Sequence, residues 1–246
     1  MYETTFRLPS AGKIQGVPES LTIRNLTTEK EKKLFAVPGP NVFDKVLDSC
    51  IVSPEGFSTK KMIVQDKMAY LLHLRAHTYG PNYRVFYRCP SCGEKFDSEV
   101  NLLEFPFYEL EEDFEEKILI ELPQSKDVLE VKFLTGEDIE RAEKLAKSYT
   151  RKFKQSAREA EYVYRMVLHT ISVNGVPFDS VELGREYFTK MSGMDSAEFW
   201  AALNKRDIGY DTTMEVVCPY CSESWEEGLP VTIEFFRPGI LNTRRG

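Results

Sequence analysis

The chain has 246 residues, a formal net charge of −7 and hydrophobic residues at 42% of its positions. This composition excludes an intrinsically disordered chain, and the acidic balance argues against a surface that coats nucleic acid over its whole area. The chain contains no run of about 18 apolar residues, and its first seven residues lack the form of a secretory signal. We therefore expect a cytosolic protein without a membrane span, a setting in which disulfides are rare.

The first 80 residues are predicted to form an extended arm followed by helices. Prolines and glycines punctuate the beginning of the chain and predict an arm that lies on another surface, with a short strand at 21–24. Thr27 or Thr28 is predicted to cap a charged helix, and Thr28 and Glu31 have the spacing of a capping box. The helices predicted in this region cover residues 29–35, 41–51 and 66–79.

Beyond residue 80 the apolar pattern changes mainly to that of strands. The predicted strands cover residues 83–87, 100–107, 118–122, 129–134, 214–217 and 229–236. An acidic run at 109–116 is interpreted as a solvated loop or strand edge, with a contact for a basic partner as the alternative.

The longest periodic segment, 137–172, predicts an amphipathic helix, with a break near Gln155 and Ser156 as the alternative. One face is apolar, from Ile139 to Ile171. The opposite face is basic and carries Arg141, Lys144, Lys147, Arg151, Lys152, Lys154 and Arg158. This basic face fits solvent or an acidic protein partner, and contact with nucleic acid is the alternative. Two shorter helices are predicted at 181–191 and 196–204, the second capped by Asp195 or Ser196.

Four of the five cysteines form two matching tetrapeptides, Cys89-Pro90-Ser91-Cys92 and Cys218-Pro219-Tyr220-Cys221. Each pair follows a predicted strand and precedes a strand that begins near an aromatic residue. This is the pattern of two zinc knuckles, which together supply four thiolates and leave no open position on the metal. The sequence therefore predicts one structural Zn²⁺ per chain, bound by Cys89, Cys92, Cys218 and Cys221 across a folded insertion of 125 residues.

Other interpretations of the cysteines are redox chemistry at a single Cys-x-x-Cys pair and a set of reduced core cysteines without a metal. A thioredoxin-like pair would begin a helix, and neither tetrapeptide leads into a helical pattern. Cys50 lies on an apolar helical stripe and is predicted to be a buried structural cysteine. His73 and His77 are spaced as a metal-binding pair on one helix face, but we expect them to be ordinary surface histidines.

Together these patterns predict an α+β fold. It has N-terminal helices, a small antiparallel β module with a split four-cysteine zinc ribbon, and a long helical insertion between the two zinc knuckles. The predicted domains are the arm and helical region at 1–80, the β/zinc-ribbon module at 81–134 and 212–236, the helical insertion at 135–211, and a tail at 237–246.

Several short motifs follow one another in a distinctive order. Leu8-Pro9-Ser10-x-Gly12 stands near the start, and Ile23-Arg24-x-Leu26-Thr27-Thr28 precedes the first charged helix. Asp66 opens a helix that closes with Leu74-Arg75-x-x-Thr78-Tyr79-Gly80, and Cys89-Pro90-x-Cys92-Gly93 follows. In this order of motifs, residues 8–105 resemble the baseplate hub proteins of T-even-type contractile-tailed bacteriophages. The chain departs from the family pattern at Ala11, where a basic residue is expected, and near Ile14, where an aromatic residue is expected.

The resemblance implies a non-enzymatic phage tail component that is part of the baseplate hub or assists its assembly. It implies other baseplate and tail-tube proteins as partners, no small-molecule substrate, assembly in the host cytoplasm and a place in the virion. The alternative function is a zinc-ribbon nucleic-acid-binding protein that uses the basic face of helix 137–172. A third interpretation, a redox enzyme, would use Cys89 and Cys92.

Overall fold

The structure is a computed structural model with an α+β architecture. It describes residues 2–36, 40–114, 117–153, 156–204, 208–231 and 233–236. The predicted tail at 237–246 lies outside the described residues. Among the helices that the structure describes, none is long and apolar enough to cross a bilayer.

Seven α-helices and twelve short strands are present in the described part of the chain. The helices are α1 (Thr28–Ala36), α2 (Pro40–Asp48), α3 (Val64–Tyr79), α4 (Gly136–Phe153), α5 (Ala157–His169), α6 (Val181–Lys190) and α7 (Gly193–Asn204). The strands are β1 (Glu3–Arg7), β2 (Ser20–Arg24), β3 (Ile51–Ser53), β4 (Asn82–Arg88), β5 (Lys95–Asn101), β6 (Phe107–Tyr108), β7 (Ile118–Glu121), β8 (Val128–Val131), β9 (Thr170–Val173), β10 (Gly209–Tyr210), β11 (Thr213–Val217) and β12 (Ser224–Gly228). Helix α3 lies in the main core, where Tyr70, Leu72 and Leu74 are completely buried.

The N-terminal residues fold onto their own chain, so the prediction of an arm that lies on another surface is wrong. Strands β1, β2 and β3 form one antiparallel sheet in that order. Alternate side chains of this region, such as Phe6 and Leu8, face the core and are buried. The helix predicted at 41–51 ends at Asp48, because the β-branched pair Ile51 and Val52 enters β3 instead.

The helix predicted at 137–172 is not continuous, and the alternative of a break is confirmed. Helices α4 and α5 pack against each other around a small separate core, and Ser156 is the N-cap position of α5. This core contains Leu134, Ala142, Ala146, Ala160, Tyr164 and Leu168. The last part of the predicted helix forms β9, which pairs antiparallel with β8, because Thr170, Ile171 and Val173 are β-branched.

Two predicted strands are also wrong. The segment 100–107 leaves the sheet at Asn101, whose side-chain oxygen accepts the N–H of Leu103 at 3.1 Å in a local turn. The segment 229–236 contains a short 3₁₀ helix, Ile233–Phe236, in which Phe235 and Phe236 are completely buried. A short apolar run fits a buried turn as well as a strand, which explains this error. The division into four domains stays a prediction; the segment predicted to be a helical insertion, 135–211, also contains β9 and β10.

Candidate metal centre

Two similar β-hairpins carry the four paired cysteines. Strands β4 and β5 form the first hairpin, in which Tyr87 lies opposite Phe96. Strands β11 and β12 form the second, in which Val216 lies opposite Trp225. Each residue of the second hairpin comes 129 positions after its counterpart in the first, as Trp225 does after Phe96. The chain therefore contains the same supersecondary unit twice.

The turns of the two hairpins have the same geometry. In the first, the N–H of Gly93 donates to the carbonyl oxygen of Cys89 at 3.0 Å. In the second, the N–H of Ser222 donates to the carbonyl oxygen of Cys218 at 3.0 Å. Gly93 and Ser222 both have positive φ angles, 77° and 61°. This left-handed residue reverses the chain directly after the second cysteine of each pair, so that both thiols of a pair point to the same side.

The four cysteine sulfurs form one compact cluster. Cys89 Sγ lies 3.6 Å from Cys221 Sγ, and Cys92 Sγ lies 3.7 Å from Cys218 Sγ. All four sulfurs lie within 4.8 Å of one another. A tetrahedral ion with metal–sulfur bonds of about 2.3 Å places its ligands about 3.8 Å apart. The cluster therefore has the size and donor set of a four-thiolate metal site.

The close packing of the four cysteines also shifts the pKa values of their thiols. Burial opposes ionisation of Cys89, but the N–H groups of Cys92 and Ser91 outweigh it and lower the pKa of Cys89 to about 7. At Cys92 the N–H of Glu94 lowers the pKa, but burial and the neighbouring sulfurs raise it to about 12. Four adjacent thiols cannot all ionise without a cation among them, because each thiolate repels the next. A bound divalent cation would remove this repulsion.

An aromatic cluster joins the two hairpins beside the sulfurs. The ring of Trp225 lies 6.2 Å from that of Tyr87 and 6.0 Å from that of Phe96, in edge-on arrangements. The Tyr87 and Phe96 rings lie 5.6 Å apart, and the Tyr87 hydroxyl reaches Met214 Sδ at 4.0 Å. The sequence contained a signal for this contact, since an aromatic residue follows each cysteine pair at the same distance. Its role in docking one hairpin on the other was visible only in the structure.

Cys50 lies apart from this cluster, as predicted for a buried structural cysteine. Its side chain is completely buried in the main core, and its sulfur lies 3.5 Å from Lys30 Nζ. Burial raises the pKa of the Cys50 thiol despite the nearby ammonium group. A protonated, buried thiol is a poor nucleophile, so the structure gives Cys50 a packing role.

The histidine pair is not a metal site in this structure. His73 Nε2 lies 2.9 Å from the Tyr210 hydroxyl, and the His73 ring stacks on Phe6 at 4.0 Å. The His73 side chain is only partly exposed between the rings of Phe6 and Tyr210, so the expectation of an ordinary surface residue is wrong for His73, and burial lowers its pKa to about 4. His77 Nε2 lies 3.0 Å from the carbonyl oxygen of Tyr2. Among the described residues, the four cysteines are the single cluster with metal-ligand geometry.

The five basic residues proposed for nucleic acid lie together on α4 and not beside the cysteines. Their side chains are exposed, and they are Arg141, Lys144, Lys147, Arg151 and Lys152. Lys144 and Lys147 form long i,i+4 ion pairs with Glu140 and Glu143, at 3.7 and 3.5 Å. The nucleic-acid interpretation of this face stays a prediction.

Comparison with known families complements this geometry. A family model described as T4 bacteriophage base plate protein matches residues 1–237. The chain therefore belongs to the T4 bacteriophage base plate protein family. The resemblance to phage base plate proteins that the motifs between residues 8 and 105 indicated is confirmed at the level of the family, and the match extends over both hairpins and the seven helices that the structure describes. The assignment of this base plate protein to the hub stays a prediction. No curated protein and no solved structure matches the chain in the corresponding searches.

Proposed function

We propose that the chain is a non-enzymatic component of the hub of a contractile phage base plate and that it acts through protein–protein contacts. The observation that carries this proposal is the base plate family match over residues 1–237. The partners would be other base plate and tail-tube proteins. Assembly would take place in the host cytoplasm, and the protein would remain in the virion.

We further propose that Cys89, Cys92, Cys218 and Cys221 hold one structural Zn²⁺. The sulfur separations of 3.6 and 3.7 Å support a tetrahedral four-thiolate site. Zinc would supply a positive charge that lets all four cysteines bind as thiolates and links the hairpins firmly. With four protein ligands it would have no open position for a substrate, in keeping with a structural role.

Such a centre suits a protein assembled in a reducing cytoplasm. Disulfides are rare there, whereas thiolate–metal bonds form readily. The two hairpins come from distant parts of the sequence, so a metal between them would fix the relative positions of β4–β5 and β11–β12. A rigid paired-hairpin unit would present a constant surface to neighbouring proteins.

Genetic complementation tests the base plate role. Deletion of the gene from the phage that encodes the chain should leave heads but prevent complete tails, and expression of the chain from a plasmid should restore them. Mass spectrometry of purified tails should detect the chain in a fixed ratio to other base plate proteins. Normal tails after deletion would contradict the proposed role, and absence of the chain from finished tails would contradict its retention.

Elemental analysis tests the zinc site independently of any phage. The purified protein should contain one zinc per chain, and the four paired cysteines should resist alkylation until a chelator is added. Cys50 is an internal reference, because its protection depends on burial in the core. Alkylation of Cys92 and Cys221 at the same rate with and without the chelator would contradict the site.

A further inference from the structure

The outward face of the second hairpin carries negative charge that its own strands do not neutralise. Glu215 and Glu226 lie directly opposite each other in the antiparallel pair of β11 and β12. Like charges at such positions repel. Between Thr213 and Gly228 the sequence has four glutamates and no lysine or arginine. On the same hairpin Val217 and Tyr220 are 55% and 64% exposed, so apolar surface adjoins the carboxylates.

In the first hairpin, the acidic side chain on the corresponding face has a cation beside it. Asp97 occupies the position that corresponds to Glu226. Its carboxylate lies 3.4 Å from the guanidinium of Arg84, a residue that is itself opposite Glu99 across the strands. The comparison shows that this hairpin unit can carry a cation beside its carboxylates, whereas Glu215 and Glu226 form no salt bridge with any residue that the structure describes. The second hairpin, in contrast, has no lysine or arginine in its strands that could pair with Glu215 or Glu226.

A complementary surface is present elsewhere on the chain, at the end of α4 and the start of α5. Of the residues that the structure describes in this region, 144–153 and 156–158 include five lysines and arginines and no acidic residue. The side chains of Arg151 and Arg158 are exposed and, among the residues that the structure describes, form no salt bridge. The ion pairs of Lys144 and Lys147 lie within α4 itself and are exposed, so solvent screens them.

We propose that a second copy of this chain docks its basic α4–α5 end on the β11–β12 face of the first. Lys147 and Arg151, one turn apart on α4, would lie against Glu215 and Glu226. The aliphatic stems of these long cations would cover Val217 and Tyr220, and a guanidinium would pack well on the Tyr220 ring. Because the two surfaces differ, the contact is head-to-tail and builds rings or longer assemblies.

This inference goes beyond the proposed base plate role and is tested on the purified, zinc-containing full chain alone. Sedimentation equilibrium at about 50 mM and about 500 mM salt should show self-association that weakens as salt rises. Two variants reverse one surface each, Glu215→Lys/Glu226→Lys and Lys147→Glu/Arg151→Glu. Each should raise the dissociation constant about tenfold or more, because like charges then face each other.

The decisive sample is the combined four-site variant, in which the charges of both surfaces are exchanged. It should recover association close to that of the original chain. Asp97→Lys, the same charge change at the matching position of the first hairpin, is the control and should leave association unchanged. A chain that stays monomeric at low salt, reversals without effect, or a four-site variant that does not recover would each overturn the proposal.

Thermal unfolding shows whether a variant associates more weakly because its docking surface has changed or because its fold is damaged. Glu226→Lys replaces a repulsive pair with an opposite-charge pair across β11 and β12, so the single variant should unfold at the same temperature as the original chain or above it. Its self-association should nevertheless weaken. A weaker association that comes with a lower unfolding temperature would instead assign the effect to misfolding and overturn the proposal.

Discussion

Cys89 Sγ lies 3.6 Å from Cys221 Sγ, although the two cysteines are 132 positions apart in the sequence. The second close pair, Cys92 with Cys218, also joins one hairpin to the other. Each hairpin therefore contributes two of the four thiols, and neither hairpin contains the whole sulfur cluster. The aromatic contact between Phe96 and Trp225 aligns the hairpins in the same way.

We expect Cys221→Ser to lose the proposed zinc and to lower the free energy of unfolding by about 5 kcal/mol or more, because metal binding is part of the folding energy. Metal analysis and urea unfolding measure the two effects. Cys50→Ala is the control: it should keep one zinc per chain and lose only packing energy in the core. A Cys221→Ser protein with a full zinc content and unchanged stability would rule out the shared site.

Ser222 is the counterpart of Gly93 and has a φ angle of 61°, a conformation that costs a residue with a side chain about 1 kcal/mol. We expect Ser222→Gly to raise the free energy of unfolding by up to that amount. Gly93→Ala, at a φ angle of 77°, should lower it. Urea unfolding of both variants checks the opposite signs, and two changes of the same sign would refute this account of the turns.

Asp66 should make stability depend on pH. Its carboxyl is completely buried and accepts the N–H of Ser10 at 2.9 Å, and burial raises its pKa from 3.8 to about 6. The folded protein therefore holds this proton more tightly than the unfolded chain does. As pH rises from 4 to 6 the carboxyl ionises in the unfolded chain but stays protonated in the native state, so stability should fall by up to about 3 kcal/mol. Above about pH 6 both states are ionised, and stability should remain level.

Asp66→Asn removes this titration and is the matched variant. Urea unfolding of both proteins between pH 4 and pH 7 should give curves that diverge, with the variant gaining relative to the original chain as pH rises. Protonation of the cysteine thiols changes the stability of both proteins equally, so it cancels in the difference between their free energies of unfolding. Parallel curves would show that Asp66 has no raised pKa.

Arg75 should be among the most sensitive charged residues of the core. Its Nε donates to the carbonyl oxygen of Phe235 at 3.0 Å, and its guanidinium lies 4.7 Å from the Tyr79 ring centre. We expect Arg75→Met to lower the free energy of unfolding by about 2–4 kcal/mol, because a buried carbonyl loses its charged donor. The exposed Arg84→Met is the control, and similar small losses at both positions would contradict the prediction.

Features that depend on short-range pattern could be predicted from the sequence. The paired Cys-Pro-x-Cys motifs predicted one cluster, and the sulfurs meet across the two hairpins. Alternation at Tyr83, Val85 and Tyr87 predicted the strand β4, whose inward side chains are buried. Helices α1, α3, α6 and α7 lie close to their predicted ranges, 29–35, 66–79, 181–191 and 196–204.

Features decided by tertiary contacts could not be predicted in this way. The apolar spacing of 137–172 fits one long helix as well as two, and packing around Ala142 and Ala160 selects two. Phe235 and Phe236 lie in a 3₁₀ helix because both side chains are buried in the core there, and Arg75 donates to the carbonyl oxygen of Phe235. The prediction that Asp195 or Ser196 caps α7 was also wrong. Ser192 Oγ accepts the N–H of Asp195, and the Asp195 carboxylate accepts the backbone N–H groups of Gln124 and Ser125.

Because the two hairpins are far apart in the sequence, the second is synthesised well after the first. Cys221 is made 129 residues after Cys92, which at about 5–20 residues per second is a delay of roughly 6–26 seconds. Through that interval the ribosome holds a first hairpin with two thiols and an uncovered aromatic face, while α4 to α7 are still emerging. All four paired cysteines are present only after the second hairpin has left the ribosome, and Phe235 and Phe236, which are buried in the main core, follow that hairpin.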